Sequence, residues 1–292
     1  MRQSDTRLLI EDFKPWLEAR LLEVSKKSGL GKAIGPTGGK ALVIEQNNRV
    51  STYFDEISPG YSDRYRDGNP FHSYFFRQRL KAATDRFVFD GKTVLDIGAG
   101  TGALYDELKR RCATVDYFAC DISPQMLAQS AIPPQRAFVG RVSEIAFPRD
   151  RFDFIYSLGV TTYQDPAELT ANWRFIAERL APGGTAIVSF TNRAALDHAM
   201  RTALRIAKPI VRKGVFGQSF ATFAYRQAEV ADMARAVGLE IARVTFLNQT
   251  ISPFATLLPK PSVAMARMIE RYAPGAVLPS LSADFVVFVE RA

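Results

Sequence analysis

The stretch VLDIGAGTG, residues 94–102, decides how the chain is read. Val94, Leu95 and Ile97 form an apolar run suited to a buried strand, interrupted by a single acid, Asp96. Glycines then fall on alternate positions, Gly98, Gly100 and Gly102. A helical pattern follows in GALYDELKRRC, where Leu104 and Leu108 lie one turn apart. Strand, glycine turn and helix in this order place a ligand at the carboxyl edge of an open α/β sheet. Glycine serves there because it lets a ligand approach the backbone and adopts angles closed to other residues. The loop is not a P-loop, since no Lys followed by Ser or Thr ends it, and its spacing departs from the dinucleotide pattern G-x-G-x-x-G. Taken alone, a glycine turn also fits a tight structural turn.

Outward from this loop, strands and helices alternate. VDYFACDI reads as a second strand, ending in Asp121 where a carboxylate can accept both hydroxyls of a ribose. SPQMLAQSA opens a helix with Ser123 as cap and Pro124 in the first helical position. RAFVG, FDFIYSL, TAIVSFTN, LEIARVTFL and DFVVFVERA supply five more strands, with the helix PAELTANWRFIAERL between the fourth and fifth. This alternation predicts an α/β fold with a mostly parallel, doubly wound sheet of seven strands.

The 292 residues are 47% hydrophobic, enough for a sizeable core. The formal net charge is +8. Such a balance suits nucleic acid, a phosphorylated small molecule or an anionic membrane face, and equally a mildly basic solvated surface. Cys112 and Cys120, the only cysteines, have neither metal-ligand nor disulfide-framework spacing. The opening MRQSDTRLLIEDFKPW carries Asp5, Glu11 and Asp12 where a signal peptide needs an apolar run. No charge-free stretch reaches the length of a membrane span. A cytoplasmic protein is expected, with a peripheral place on the inner face of a membrane as the alternative.

Residues 1–90 read as a helical cover and residues 91–292 as the core, with insertions at about 193–226 and 248–283. In the cover, Asp12 caps a helix that Gly29 stops, GKAIGPTGGK is a connector, and a helix begins near Phe71. In the first insertion, Arg201, Arg205, Lys208 and Arg212 follow helical spacing, and Pro209 is expected to end the helix. The second carries a short amphipathic helix from Ser262 to Tyr272. The basic face suits a solvated lid, or a surface for anionic headgroups or a phosphorylated acceptor.

VLDIGAGTG, CDISPQML, RFDFIYSL and RLAPGG, in this order and spacing, resemble the class I S-adenosylmethionine-dependent methyltransferases of the small-molecule type. The likeness spans roughly residues 91 to 247 and the last strand. It implies a Rossmann-like sheet and S-adenosyl-L-methionine as cofactor. By the same resemblance, Gly98, Ala99 and Gly100 would face the methionine part, Asp121 would hold the ribose hydroxyls, Ile122 would lie on the adenine, and Asp96 and Met126 would belong to the cofactor site. Arg141 and Val142 occupy the positions where the family usually has Asp-Ala after a glycine. Arg141 cannot accept a hydrogen bond, so the adenine amino group would need another partner. Ser157 and Leu158 would line the site beyond the fourth strand. YFDEISPGYSDRY resembles the helix and turn that precede the core in small-molecule members, with Tyr61 best matched, beside Tyr53 and Tyr65, to close over the cofactor.

Methyl transfer is an in-line displacement at a sulfonium carbon, so the protein's task is positioning and exclusion of water. His72, Tyr163 and His198 are the candidates for assisting the acceptor. The loops typical of adenine-amino and cytosine-C5 enzymes are missing, and no acidic metal set stands at Ser157 or Asn192. The expectation is a metal-independent enzyme acting on a hydrophobic or anionic small molecule. An RNA methyltransferase is the rival reading, disfavoured because no RNA-binding module is legible. A methyltransferase fold retained only for binding is another.

Overall fold

The computed structural model describes residues 48–65, 70–112, 114–211, 221–251, 254–272 and 279–292, and leaves side chains at 65, 204–211, 256 and 272 undescribed. The helix expected from Asp12 to Gly29 and the connector at 31–40 lie outside the described residues. Residues 47–292 form one compact unit, and the expected 90/91 boundary falls within it.

Seven strands form one sheet: β1 (Thr93–Ile97), β2 (Asp116–Asp121), β3 (Ala137–Val139), β4 (Phe152–Ser157), β5 (Leu180–Thr191), β6 (Leu239–Leu247) and β7 (Asp284–Arg291). Their order is β3-β2-β1-β4-β5-β7-β6. The first five are parallel, and β7 runs antiparallel to both neighbours. The helices are α1 (residues 48–57), α2 (Pro70–Thr84), α3 (Ala103–Arg111), α4 (Pro124–Ala128), α5 (Pro166–Arg179), α6 (Leu196–Val211), α7 (Gln227–Arg235), α8 (Phe254–Leu257) and α9 (Pro259–Tyr272). The strand order reverses between β1 and β4, which opens a crevice at their carboxyl ends.

Side chains alternate across β1. Leu95 and Ile97 join Phe118, Ile155 and Trp173 on one side of the sheet, while Val94 joins Leu108, Phe154 and Tyr156 on the other. Both faces of the central strands are therefore buried, which explains their near-continuous apolar runs. The helix α2 packs on α9 through Phe71, Tyr74, Val263 and Ala266.

Two lid expectations need correction. α6 continues through Pro209 to Val211. Proline removes one hydrogen bond to the carbonyl four residues back, a loss that does not stop this helix. α9 starts at Pro259 rather than Ser262, because prolines are tolerated in a first turn whose amides have no helical partner. Among the described residues, no helix is long and apolar enough to cross a membrane.

Candidate active site

The glycine loop is pinned to β2 from its first residue. The amides of Gly98 and Ala99 both donate to the Cys120 carbonyl, at 2.8 and 3.1 Å. Gly98, Gly100 and Gly102 all have left-handed φ, at +75°, +55° and +81°. The surrounding space differs among them. A Cβ on Gly98 would stand 2.2 Å from Val160 Cγ2, and one on Gly102 3.0 Å from Ser130 Cβ. A Cβ on Gly100 would meet nothing nearer than Tyr61 Cε1 at 4.0 Å. The loop is thus packed shut at both ends and open at its middle.

Asp121 ends β2 and faces this opening. Its Oδ2 accepts from the Gly100 amide and its Oδ1 from the Ser123 amide, each at 2.8 Å. Burial pushes its pKa up, and these amides pull against the shift. Each oxygen keeps a second lone pair, the capacity that two ribose hydroxyls require. Asp96 lies deeper, 3% exposed, with Tyr117 Oη donating to it at 2.5 Å. Burial raises its pKa to about 7; the Tyr117 bond opposes this and the charge of Asp121 adds to it. Asp96 thus acts from below the loop.

The cover reaches the same place. Ser51 Oγ donates to the Ile122 carbonyl at 2.8 Å, Ser123 Oγ donates to Asp55 Oδ1 at 2.6 Å, and Gln129 Nε2 donates to Ser58 Oγ at 2.8 Å. With the Gln125 amide, which also donates to Asp55 Oδ1 at 3.2 Å, they fasten α1 and the turn after it onto the β2–α4 segment. The Tyr61 ring packs edge-on against Phe54 and Phe76, with the Arg64 guanidinium 4.7 Å from its centroid. Burial raises the Tyr61 hydroxyl pKa, partly offset by Arg64 and Arg79. Tyr163, in the turn after β4, lies 5.2 Å from Phe54, and burial lifts its pKa to about 12. It therefore stays a protonated donor at neutral pH.

Arg79 was not legible as a site residue. It comes from α2 and lines a cavity of about 30 Å³ with Phe76, Asp96, Gly98, Ala99 and Leu158. It donates to Asp284 Oδ2 at 2.7 Å, and Asp284 also accepts from Asn248 Nδ2 at 3.1 Å. The partner lies 205 residues away, so nothing local in the sequence signals the pair. The one available cue is its place on α2 one turn after Phe76.

The remaining expected residues are spread more widely. Leu158 lines the small cavity, Ser157 is buried at the end of β4, and Ile122 is half-buried under α1. Met126 and Val142 are buried, at 1% and 3% exposure. Arg141 turns toward Glu144, 3.8 Å away. His72 is exposed on α2, its pKa lowered by burial and then by Arg64. His198 sits in the first turn of α6. Arg201 pairs with Asp197 at 2.6 Å and Arg193 with Glu229, so part of the expected basic face is neutralised. The side chains of Arg205 and Lys208, and all of Arg212 and Lys213, lie outside the described structure. Among the described residues, no group of three or more His, Cys, Asp or Glu side chains is arranged to hold a metal.

The residues present fit an adenosyl cofactor: an open middle glycine, a carboxylate already oriented beside it, and an aromatic roof. Comparisons with known proteins agree. A family model described as a methyltransferase domain matches residues 71–243, more than half of the chain. No curated protein sequence matches. Among solved structures, the chain resembles magnesium protoporphyrin IX methyltransferase from Synechocystis, solved with S-adenosylhomocysteine, at 16% identity and a TM-score of 0.58, covering 85% of this chain and 100% of that one. It also resembles a Haloferax volcanii protein solved with the Trm112 methyltransferase activator (22% identity, TM-score 0.54, 82% and 97% covered). The N-methyltransferase NodS from Bradyrhizobium japonicum is similar at 14% identity and a TM-score of 0.52, with 83% and 98% covered. The sheet order, the glycine loop and the matched family together lead to one conclusion: the chain belongs to the methyltransferase-domain family, as a class I S-adenosylmethionine-dependent methyltransferase with a Rossmann-like fold.

Proposed function

We propose that the protein transfers the methyl group of S-adenosylmethionine to a hydrophobic or anionic small molecule by metal-independent in-line displacement. The observation that carries this reading is the Asp121 carboxylate, held between the Gly100 and Ser123 amides beside the open Gly100 and under Tyr61. The cofactor supplies the activated methyl; the chain supplies position and dryness. Asp121 takes the ribose hydroxyls and Gly98 to Gly100 lie along the methionine part. Arg79, the cation lining the cavity, faces its carboxylate. Ile122, Met126 and the 141–142 turn border the adenine. Tyr61 roofs the site and keeps water out.

Tyr163 serves as a hydrogen-bond donor that orients the acceptor, since its raised pKa makes it a poor base. His72 and His198 are the candidates for taking a proton where the acceptor atom must lose one. Within the compact unit, residues 48–90 act as the cover of the glycine loop.

Calorimetry with S-adenosylhomocysteine tests the reading. Asp121→Ala is expected to lose about 1–3 kcal/mol of binding through the missing charge-assisted hydrogen bonds. Unchanged affinity in a folded Asp121→Ala protein would falsify the ribose assignment. Methyl-labelled S-adenosylmethionine incubated with a metabolite extract then identifies the acceptor by its label. Label appearing only in RNA would overturn the small-molecule reading.

A further inference from the structure

Large apolar side chains exposed to solvent are concentrated on one segment. Phe254, Leu257, Leu258, Met265 and Met268, all on or between α8 and α9, are 54–70% exposed. Isolated exposed apolar residues are ordinary, but five along one short segment mark a surface that meets a partner. On α9 the buried stripe is Ser262, Val263 and Ala266, which pack toward α2. By helical spacing, Met265 and Met268 lie together on one flank of the exposed face, and Lys260, Arg267 and Arg271 on the other. The single acid of residues 254–272 is Glu270, and it is turned inward to accept from Tyr74 Oη. That bond turns the segment's own acid away from the outward face, which is apolar and cationic in its residues.

A groove adjoins the cationic flank. It lies between α2 and α9, has a volume of about 500 Å³, and is lined by Arg77, Lys260 and Arg267 together with Ser73, Tyr74 and Gln78. None of its lining residues is acidic. A protein partner of ordinary composition would match either the apolar row or the cations. A bilayer with anionic headgroups matches both at once: acyl chains take the methionines and leucines, and phosphates take the basic side chains.

We propose that α8 and α9 dock the protein on an anionic lipid surface, with headgroup phosphates seated in the groove between α2 and α9. The surface is distinct from the Arg201 face of α6, and the proposal does not depend on which acceptor is methylated. Its consequence is positional. α2 lines the glycine-loop cavity through Phe76, Arg79 and Leu80 and the groove through Ser73, Tyr74 and Arg77, so one helix separates lipid from cofactor.

Vesicle flotation at low salt tests this, using phosphatidylcholine vesicles with one-quarter phosphatidylglycerol beside pure phosphatidylcholine. Wild type should float with the mixed vesicles and stay behind with the pure ones. Met265→Asp with Met268→Asp, and separately Lys260→Glu with Arg267→Glu, should each weaken binding at least tenfold while S-adenosylhomocysteine affinity stays at the wild-type value. If the first pair fails to fold, the second alone decides. Wild type that ignores the mixed vesicles, or charge-reversed protein that floats like wild type, overturns the proposal. Sedimentation as a dimer that Met265→Asp with Met268→Asp breaks, without vesicle binding, assigns the face to a second copy instead and also overturns it.

Discussion

The carboxyl edge of the sheet is finished differently in its two halves. Around β1 and β2, polar groups are tied to one another: Asp121 to two amides, Asp96 to Tyr117 and Asp55 to Ser123. Around β4, β6 and the lid helices, the buried acceptors Gln164 Oε1, Asn248 Oδ1 and Gln249 Oε1 have no protein partner among the described residues. Apolar side chains of α8 and α9 face outward in the same half. A buried acceptor left without a partner costs about 1–3 kcal/mol. The first half is preorganised for one fixed ligand; the second keeps unspent polar and apolar capacity for something that completes it.

Arg79 bridges the halves, and removing it gives the strongest break. Arg79→Ala leaves Asp284, 3% exposed, as a buried charge without its cation. The expected loss is about 3–5 kcal/mol of stability. Urea unfolding measures it, and Arg79→Lys should recover part of the loss by restoring charge without the fork. A change below about 1 kcal/mol for Arg79→Ala would mean that the halves are independent.

pH separates the halves next. Asp96 has a folded pKa of about 7, well above the ordinary carboxylate value. The folded state therefore binds its proton more tightly than the unfolded chain does. This contribution to stability is complete below about pH 4 and falls away as pH rises to about 7, by roughly 3–4 kcal/mol. Asp96→Asn should flatten that part of the stability profile, measured by urea unfolding at a series of pH values. A profile with the same slope in both proteins removes Asp96 as its cause.

The smallest effects sharpen the picture inside the loop. Gly98→Ala adds a Cβ 2.2 Å from Val160 in a left-handed residue and should cost about 2–4 kcal/mol. Gly100→Ala meets open space, so only the backbone term of about 1–2 kcal/mol remains. S-adenosylhomocysteine affinity should nevertheless fall for Gly100→Ala, since the added methyl points into the space reserved for the ligand. Equal stability losses at the two positions would contradict the difference in their surroundings.

The sequence made the first half legible and much of the second half opaque, for physical reasons. Alternate glycines, a capped helix at Ser123 and a strand-ending acid are local signals, written within about 30 residues of one another. That Tyr61 lies beside the glycine loop was legible because it sits in an aromatic turn of recognisable pattern. Arg79 and Asp284 meet only when the chain returns from β6 to β7 beside β5, and no periodicity announces such a pairing. The inward turn of Glu270 is hidden for the same reason: its partner Tyr74 is 196 residues earlier. Pro209 misled because proline disfavours a helix without forbidding it, and α6 runs through it to Val211.

The fastening of α1 sets a tempo as well as a shape. A cofactor that reaches Asp121 and Gly100 from the side of the cover meets α1 and the turn after it, which are bonded to the β2–α4 segment. Passage beneath α1 requires the bonds from Ser51, Ser123, Gln125 and Gln129 to part together. At about 1 kcal/mol each, roughly one molecule in a thousand stands open at any moment. The apparent affinity for the cofactor is lowered by that fraction, and the observed binding rate saturates at the opening rate as cofactor concentration rises. A product that leaves by the same door meets the same barrier, made of four hydrogen bonds that touch neither the methyl group nor its acceptor.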